Sequence, residues 1–105
     1  MAWIYLFVAG LLEIAWAVGM KYSEGFTRRW PSVFTLVMML LSFGFLSLAL
    51  KRLPIGTAYA IWTGIGAVGV TIWGIVFFGE AAGALRLACI ALIVAGIIGL
   101  KWVSS

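Results

Sequence analysis

Four apolar runs, each about as long as a helix that crosses a bilayer, occupy nearly the whole of this 105-residue sequence. They cover about residues 2–20, 32–50, 55–78 and 85–103. A transmembrane helix needs roughly 20 such residues, so four crossings joined by short turns use up the chain. Only 10% of the residues are charged and 66% are hydrophobic, against about 25% charged in a soluble domain. That surplus of apolar side chains needs an apolar solvent, and the expected fold is an all-α membrane protein with a single four-helix domain over 1–105. The net charge of +4 does not point to nucleic acid, because the basic residues sit mostly at run ends, beside lipid headgroups.

The punctuation between the runs supports this partition. Lys21 closes the first run, and Lys21–Pro31 (KYSEGFTRRWP) reads as a polar turn. The second run ends at Lys51-Arg52, and Leu53-Pro54 opens the third, since proline is tolerated in the first turn of a helix. Gly79–Ala84 is a short connection to the last run, which carries Arg86 and Lys101 near its ends, where long side chains snorkel to the headgroups. Trp3, Tyr5, Trp30 and Trp102 lie near run ends, as interfacial anchors do. Ala15-Trp16-Ala17 matches a small-x-small cleavage pattern, but the N-terminus has no basic side chain and an acid interrupts the apolar stretch, so a retained helix is expected.

With four crossings, Lys51, Arg52 and Lys101 fall on one side of the membrane and Lys21, Arg28, Arg29 and Arg86 on the other. Orientation depends on a Lys/Arg difference between sides, and here there is almost none. Insertion in both directions is the expectation. Two oppositely inserted copies could then pair about an axis in the membrane plane, reproducing between chains the inverted repeat that larger transporters hold within one.

Within the runs, Glu13 is the residue most in need of a reason. An acidic side chain at the middle of a membrane helix costs roughly 2.5–3.5 kcal/mol on insertion scales, and every Lys and Arg lies near a helix end. The carboxyl must therefore be protonated or neutralised by something transient, and one group could hold a proton and a cation in turn. Gly10 and Trp16 share its helix face. Glycine permits a close neighbour, while Trp16 offers a π face for a cation and an indole N–H for the carboxylate, or simply packs. Ser42 is the polar residue nearest the middle of the second run, though such serines often bond back to their own helix. Tyr59, Trp62, Thr63 and Gly66 share a face of the third, where a buried tyrosine hydroxyl would need a partner such as a carboxylate on another helix.

Other patterns carry less. Gly64-Ile-Gly66-Ala-Val-Gly69 fits a dinucleotide fingerprint, but it lies inside an apolar run with no strand before it, and reads better as a packing face. Ala91, Ala95, Gly96 and Gly99 make the fourth run rich in small residues, which suits association between copies. The single cysteine, Cys89, has no disulfide partner. With no histidine, no nucleophile–base pair and no metal-ligand cluster, neither a soluble enzyme nor a cofactor or metal site is expected.

Taken together, Gly10-Leu-Leu-Glu13-Ile-Ala-Trp16-Ala17, Lys21-Tyr-Ser-Glu-Gly-Phe-Thr-Arg28 and Pro54-Ile-Gly-Thr-Ala-Tyr59-Ala-Ile-Trp62-Thr-Gly-Ile-Gly66-Ala resemble the small multidrug resistance family over essentially the whole chain. Trp16 and the Gly56-Thr57-Ala58-Tyr59 stretch resemble its guanidinium-exporting subtype; the lipophilic-drug subtype typically has a small residue where Trp16 stands. The resemblance implies an antiparallel, dual-topology homodimer in a prokaryotic inner membrane that exchanges guanidinium for protons. It implies that Glu13 binds the substrate, with Trp16, Ser42, Tyr59 and Trp62 hydrogen-bonding around it and Gly10, Thr63 and Lys101 in support. Two other readings stand beside it: an exporter of quaternary ammonium or lipophilic cations in which Trp16 only packs, and a non-transporting membrane subunit in which Glu13 makes an interchain contact.

Overall fold

The chain is described by a computed structural model over residues 1–104, the last by its backbone alone. It forms four helices, α1 (Ala2–Tyr22), α2 (Arg29–Leu50), α3 (Ile55–Phe77) and α4 (Ala84–Ser104). All four are long and apolar enough to cross a membrane, and local chemistry accounts for the end of α1, the start of α2 and the end of α3.

At the end of α1 the buried Ser23 hydroxyl donates to the Met20 carbonyl (2.7 Å) and accepts the Phe26 N–H (3.0 Å). Glu24, Gly25 and Phe26 then follow in the left-handed region, at φ 51, 74 and 67°. Only the glycine adopts this without strain, so the hydrogen bonds of Ser23 and Thr27 must hold its neighbours there. The second helix begins at Arg29, three residues before the expected start at 32. Pro31 falls in its first turn, where a missing N–H breaks no helical bond. In α3 the helix ends at Phe77, one residue short of the expected 78, because Gly79 turns left-handed (φ 68°) and sends the Glu80 N–H back to the Gly74 carbonyl at 3.1 Å.

The first helix is central: it packs on both α2 and α3, which barely meet each other, while the backbone of α4 approaches α3 alone. Small residues make these approaches possible. Ala9, Ala49 and Ala58 are fully buried, and with Leu6, Leu46, Ile61 and Trp62 they form the core. Gly64 faces Ile97 of α4, whose side chain lies 2.9 Å from where a Cβ would stand. The resulting body measures 41 × 35 × 16 Å. With one dimension less than half of either other, and with α4 approaching α3 alone, this is a slab rather than a closed bundle. Its broad faces carry exposed apolar side chains such as Leu40, Leu92 and Ile98, and no described residue of α4 is buried. In water such a surface would be untenable, whereas lipid or another apolar surface accommodates it.

Candidate substrate site around Glu13

Glu13 lies near the middle of α1, half-buried, on the side that faces α3. Its carboxylate rests against Gly66: a Cβ built there would overlap Oε1 and Cδ and stand 2.8 Å from Cγ. Glycine at 66 therefore makes the space the carboxylate occupies. One turn earlier on α1, Gly10 receives Ile65 in the same way, at 2.7 Å, and one residue later Ile14 fits against Gly69. The glycines of 64–69 are thus a row of sockets for α1 and α4 side chains, and their packing role expected from sequence acquires a second purpose at Gly66.

Beside the carboxylate, three helices are tied at a single point. The Ser42 hydroxyl donates to the Ala9 carbonyl (2.7 Å), and the Trp62 indole N–H donates both to Ser42 Oγ (3.0 Å) and to the same carbonyl (3.2 Å). Ser42 and Trp62 are buried. Ser42 bonds across to α1 and not to its own helix, and Ala9 lies one turn from Glu13, so this knot fixes the depth of α2 and α3 relative to the carboxylate. Aromatic rings continue outward from it. Phe43 meets Trp62 at 5.8 Å between ring centroids and Trp16 edge-on at 6.2 Å, while Tyr59 lies 5.6 Å from Trp62.

Two polar atoms in this region are buried and make no hydrogen bond among the described residues: Glu13 Oε1 and the Trp16 indole nitrogen. A third, Trp73 Nε1, lies two turns along α3 from Gly66. The Trp16 N–H is therefore not spent on the adjacent carboxylate. Leaving such groups unpaired costs about 1–3 kcal/mol each, more where charge is involved. The one ion pair among the described residues, Arg86–Glu80 at 2.6 Å, ties the start of α4 to the α3–α4 turn. An unpaired acceptor thus stands ready with aromatic faces around it, an arrangement suited to a planar cation that donates hydrogen bonds.

The face shared by Tyr59, Trp62, Thr63 and Gly66 is split along its length. Trp62 and Gly66 point into the protomer, while Tyr59 and Thr63 are exposed and Tyr59 makes no hydrogen bond to Glu13 within it. Lys101 lies apart from all of these, at the end of α4. Two contributors carried no mark in the sequence: Phe43, one apolar residue among many, and the Ala9 carbonyl, a backbone group.

Residues 1–93 match the family described as Small Multidrug Resistance protein. The chain is 64% identical over 104 residues to a guanidinium exporter of Proteus vulgaris, covering 99% of this chain and all of the relative. It is 61% identical over 101 residues to the guanidinium exporter of Escherichia coli (strain K12), and 58% identical over 101 residues to that of Citrobacter freundii, covering 96% of both chains in each case.

Proposed function

Since the chain belongs to the small multidrug resistance family, a multi-pass protein of the bacterial inner membrane, we propose that it exports guanidinium and small guanidinyl cations in exchange for protons. The observation that carries this reading is the Glu13 carboxylate at the middle of α1, with a buried, unpaired oxygen and no basic partner among the described residues. The naming of its relatives as guanidinium exporters supports the choice of cation. Guanidinium is planar and presents paired N–H donors that match a carboxylate, and its weakly hydrated face suits the rings of Trp16 and Trp62.

In this reading Glu13 holds either a proton or the cation. Protonation discharges the cation, and cation binding expels the proton. Trp16, Ser42, Tyr59 and Trp62 shape the site, with Gly10 and Thr63 in support. Ser42 and Trp62 do so as the knot that sets helix depth, while Tyr59 and Thr63 face outward from the protomer, toward a second copy. The working unit is an antiparallel homodimer of oppositely inserted chains, which would cover the slab's apolar face and bring two Glu13 carboxylates to one cavity, where their titrations are coupled. Exchange of conformations between the two protomers opens the cavity to each side in turn. Competition for the same acids then converts inward proton flow into outward cation flow.

The test is proton movement driven by a guanidinium gradient in proteoliposomes, with Glu13→Gln as control and a quaternary ammonium compound as comparison. Guanidinium-driven proton flux that disappears in Glu13→Gln is expected. Absence of coupled flux in the unmodified protein would sink the exporter reading, and equal response to both cations would leave Trp16 as packing.

A further inference from the structure

Because the backbone of α4 approaches α3 and not α1, a wedge-shaped cleft of about 540 Å³ opens between α1, α3 and α4. Its walls are the side chains of Trp3, Phe7, Ile61, Ile65 and Ile97, and one cation, Lys101, lies at its end. The Lys101 ammonium meets no carboxylate among the described residues and rests over the Trp3 ring, 4.9 Å from its centroid. It belongs to the last turn of α4, the depth at which lipid phosphates sit. Among the described residues that end of the molecule carries the basic side chains Lys51, Arg52 and Lys101 and no acidic one, while Glu24 and Glu80 lie in the turns at the opposite end.

We infer that this cleft is a binding site for an anionic phospholipid, with an acyl chain along the apolar walls and the phosphate on Lys101. Charge complementarity selects this occupant. The apolar walls would take any acyl chain, but a zwitterionic headgroup brings its own cation to a cluster of three basic side chains that no acidic side chain of the same protomer offsets among the described residues. The bound lipid would fill the wedge that α1 and α4 leave and hold α4 at its angle to the rest of the protomer, giving Lys101 a role away from Glu13. The inference does not depend on which cation is transported.

The full chain is purified in detergent micelles containing equal amounts of phosphatidylglycerol and phosphatidylcholine with identical acyl chains, and retained lipid is counted by mass spectrometry. About a fivefold preference for phosphatidylglycerol is expected, the size of one lysine–lipid attraction at a membrane surface. Lys101→Gln should abolish the preference and Lys101→Arg restore it, while Lys51→Gln, which removes the same charge from the same end, should leave it in place. Ile98→Trp, adding bulk on a lining residue, should lower retention of both lipids. Equal retention of the two lipids by the unmodified protein would overturn the inference, and so would a loss in Lys51→Gln as large as in Lys101→Gln. It is equally overturned if Lys101→Gln reduces the dimer fraction with the lipid ratio unchanged, since a carboxylate of a second copy would then be the occupant.

Discussion

Replacing Gly66 with alanine tests whether the site works because of where α3 places the Glu13 carboxyl. The added methyl would overlap Oε1 and Cδ and stand 2.8 Å from Cγ, whereas carbon atoms settle at about 3.5–4.0 Å. Glu13 must therefore move by roughly 0.7 Å at Cγ and further at its oxygens. The colliding atoms are the far end of a flexible side chain, so the helices need not part, and alanine also gains about 0.5–1 kcal/mol over glycine in a helix. Stability should change little while the carboxyl leaves its place. Displacement of a reacting or binding group by about 1 Å can cost on the order of a hundredfold. Guanidinium affinity, measured by isothermal titration calorimetry at fixed pH, should accordingly fall between about ten- and a hundredfold. Gly69→Ala is the matched control, because it sits on the same helix and collides with Ile14, the residue after Glu13, without touching the carboxylate. It should keep affinity within about threefold even if it unfolds more readily. If Gly66→Ala binds guanidinium as the unmodified protein does, the carboxyl's seat against α3 has no part in recognition. If both variants lose affinity equally, helix spacing and not carboxyl placement is responsible.

Two further outcomes follow from the same geometry. On the proposed competition of proton and cation for Glu13, apparent guanidinium affinity should weaken on acidification, by at most about tenfold per pH unit for one displaced proton, and level off once the carboxyl is ionised; affinity flat from acid to neutral pH would separate the two ligands. Ser42→Ala removes the bond to the Ala9 carbonyl but leaves the Trp62 N–H its 3.2 Å bond to that carbonyl, so a reversible unfolding titration should show a loss of about 1 kcal/mol rather than collapse, and a loss above about 3 kcal/mol would mean that Trp62 is left unpaired as well.

Much of this molecule is readable along the chain because membrane insertion is a local matter. Whether a stretch enters lipid depends on its own side chains, and where it stops depends on nearby residues such as Ser23, Pro31 and Gly79. The isolation of Glu13 is legible for the same reason, since every basic residue can be placed near an end by counting. Ser42 is harder, because a membrane serine has its own helix available as a partner. Only the approach of α1 shows that it bonds to Ala9 instead.

By itself, then, the sequence determined four crossings, a near-even charge distribution and one acid without a partner. Tertiary structure decided that Ser42 and Trp62 converge on the Ala9 carbonyl, that Gly66 seats the Glu13 carboxylate, and that α4 stands off α1 to leave a cleft ending at Lys101. The reason is that lipid and protein neighbours are equally apolar here. Hydropathy marks the faces of a helix in water, but in a bilayer it does not distinguish a lipid-facing side from a packed one. Helix register is set instead by small residues and single hydrogen bonds, whose partners lie tens of residues apart in the chain.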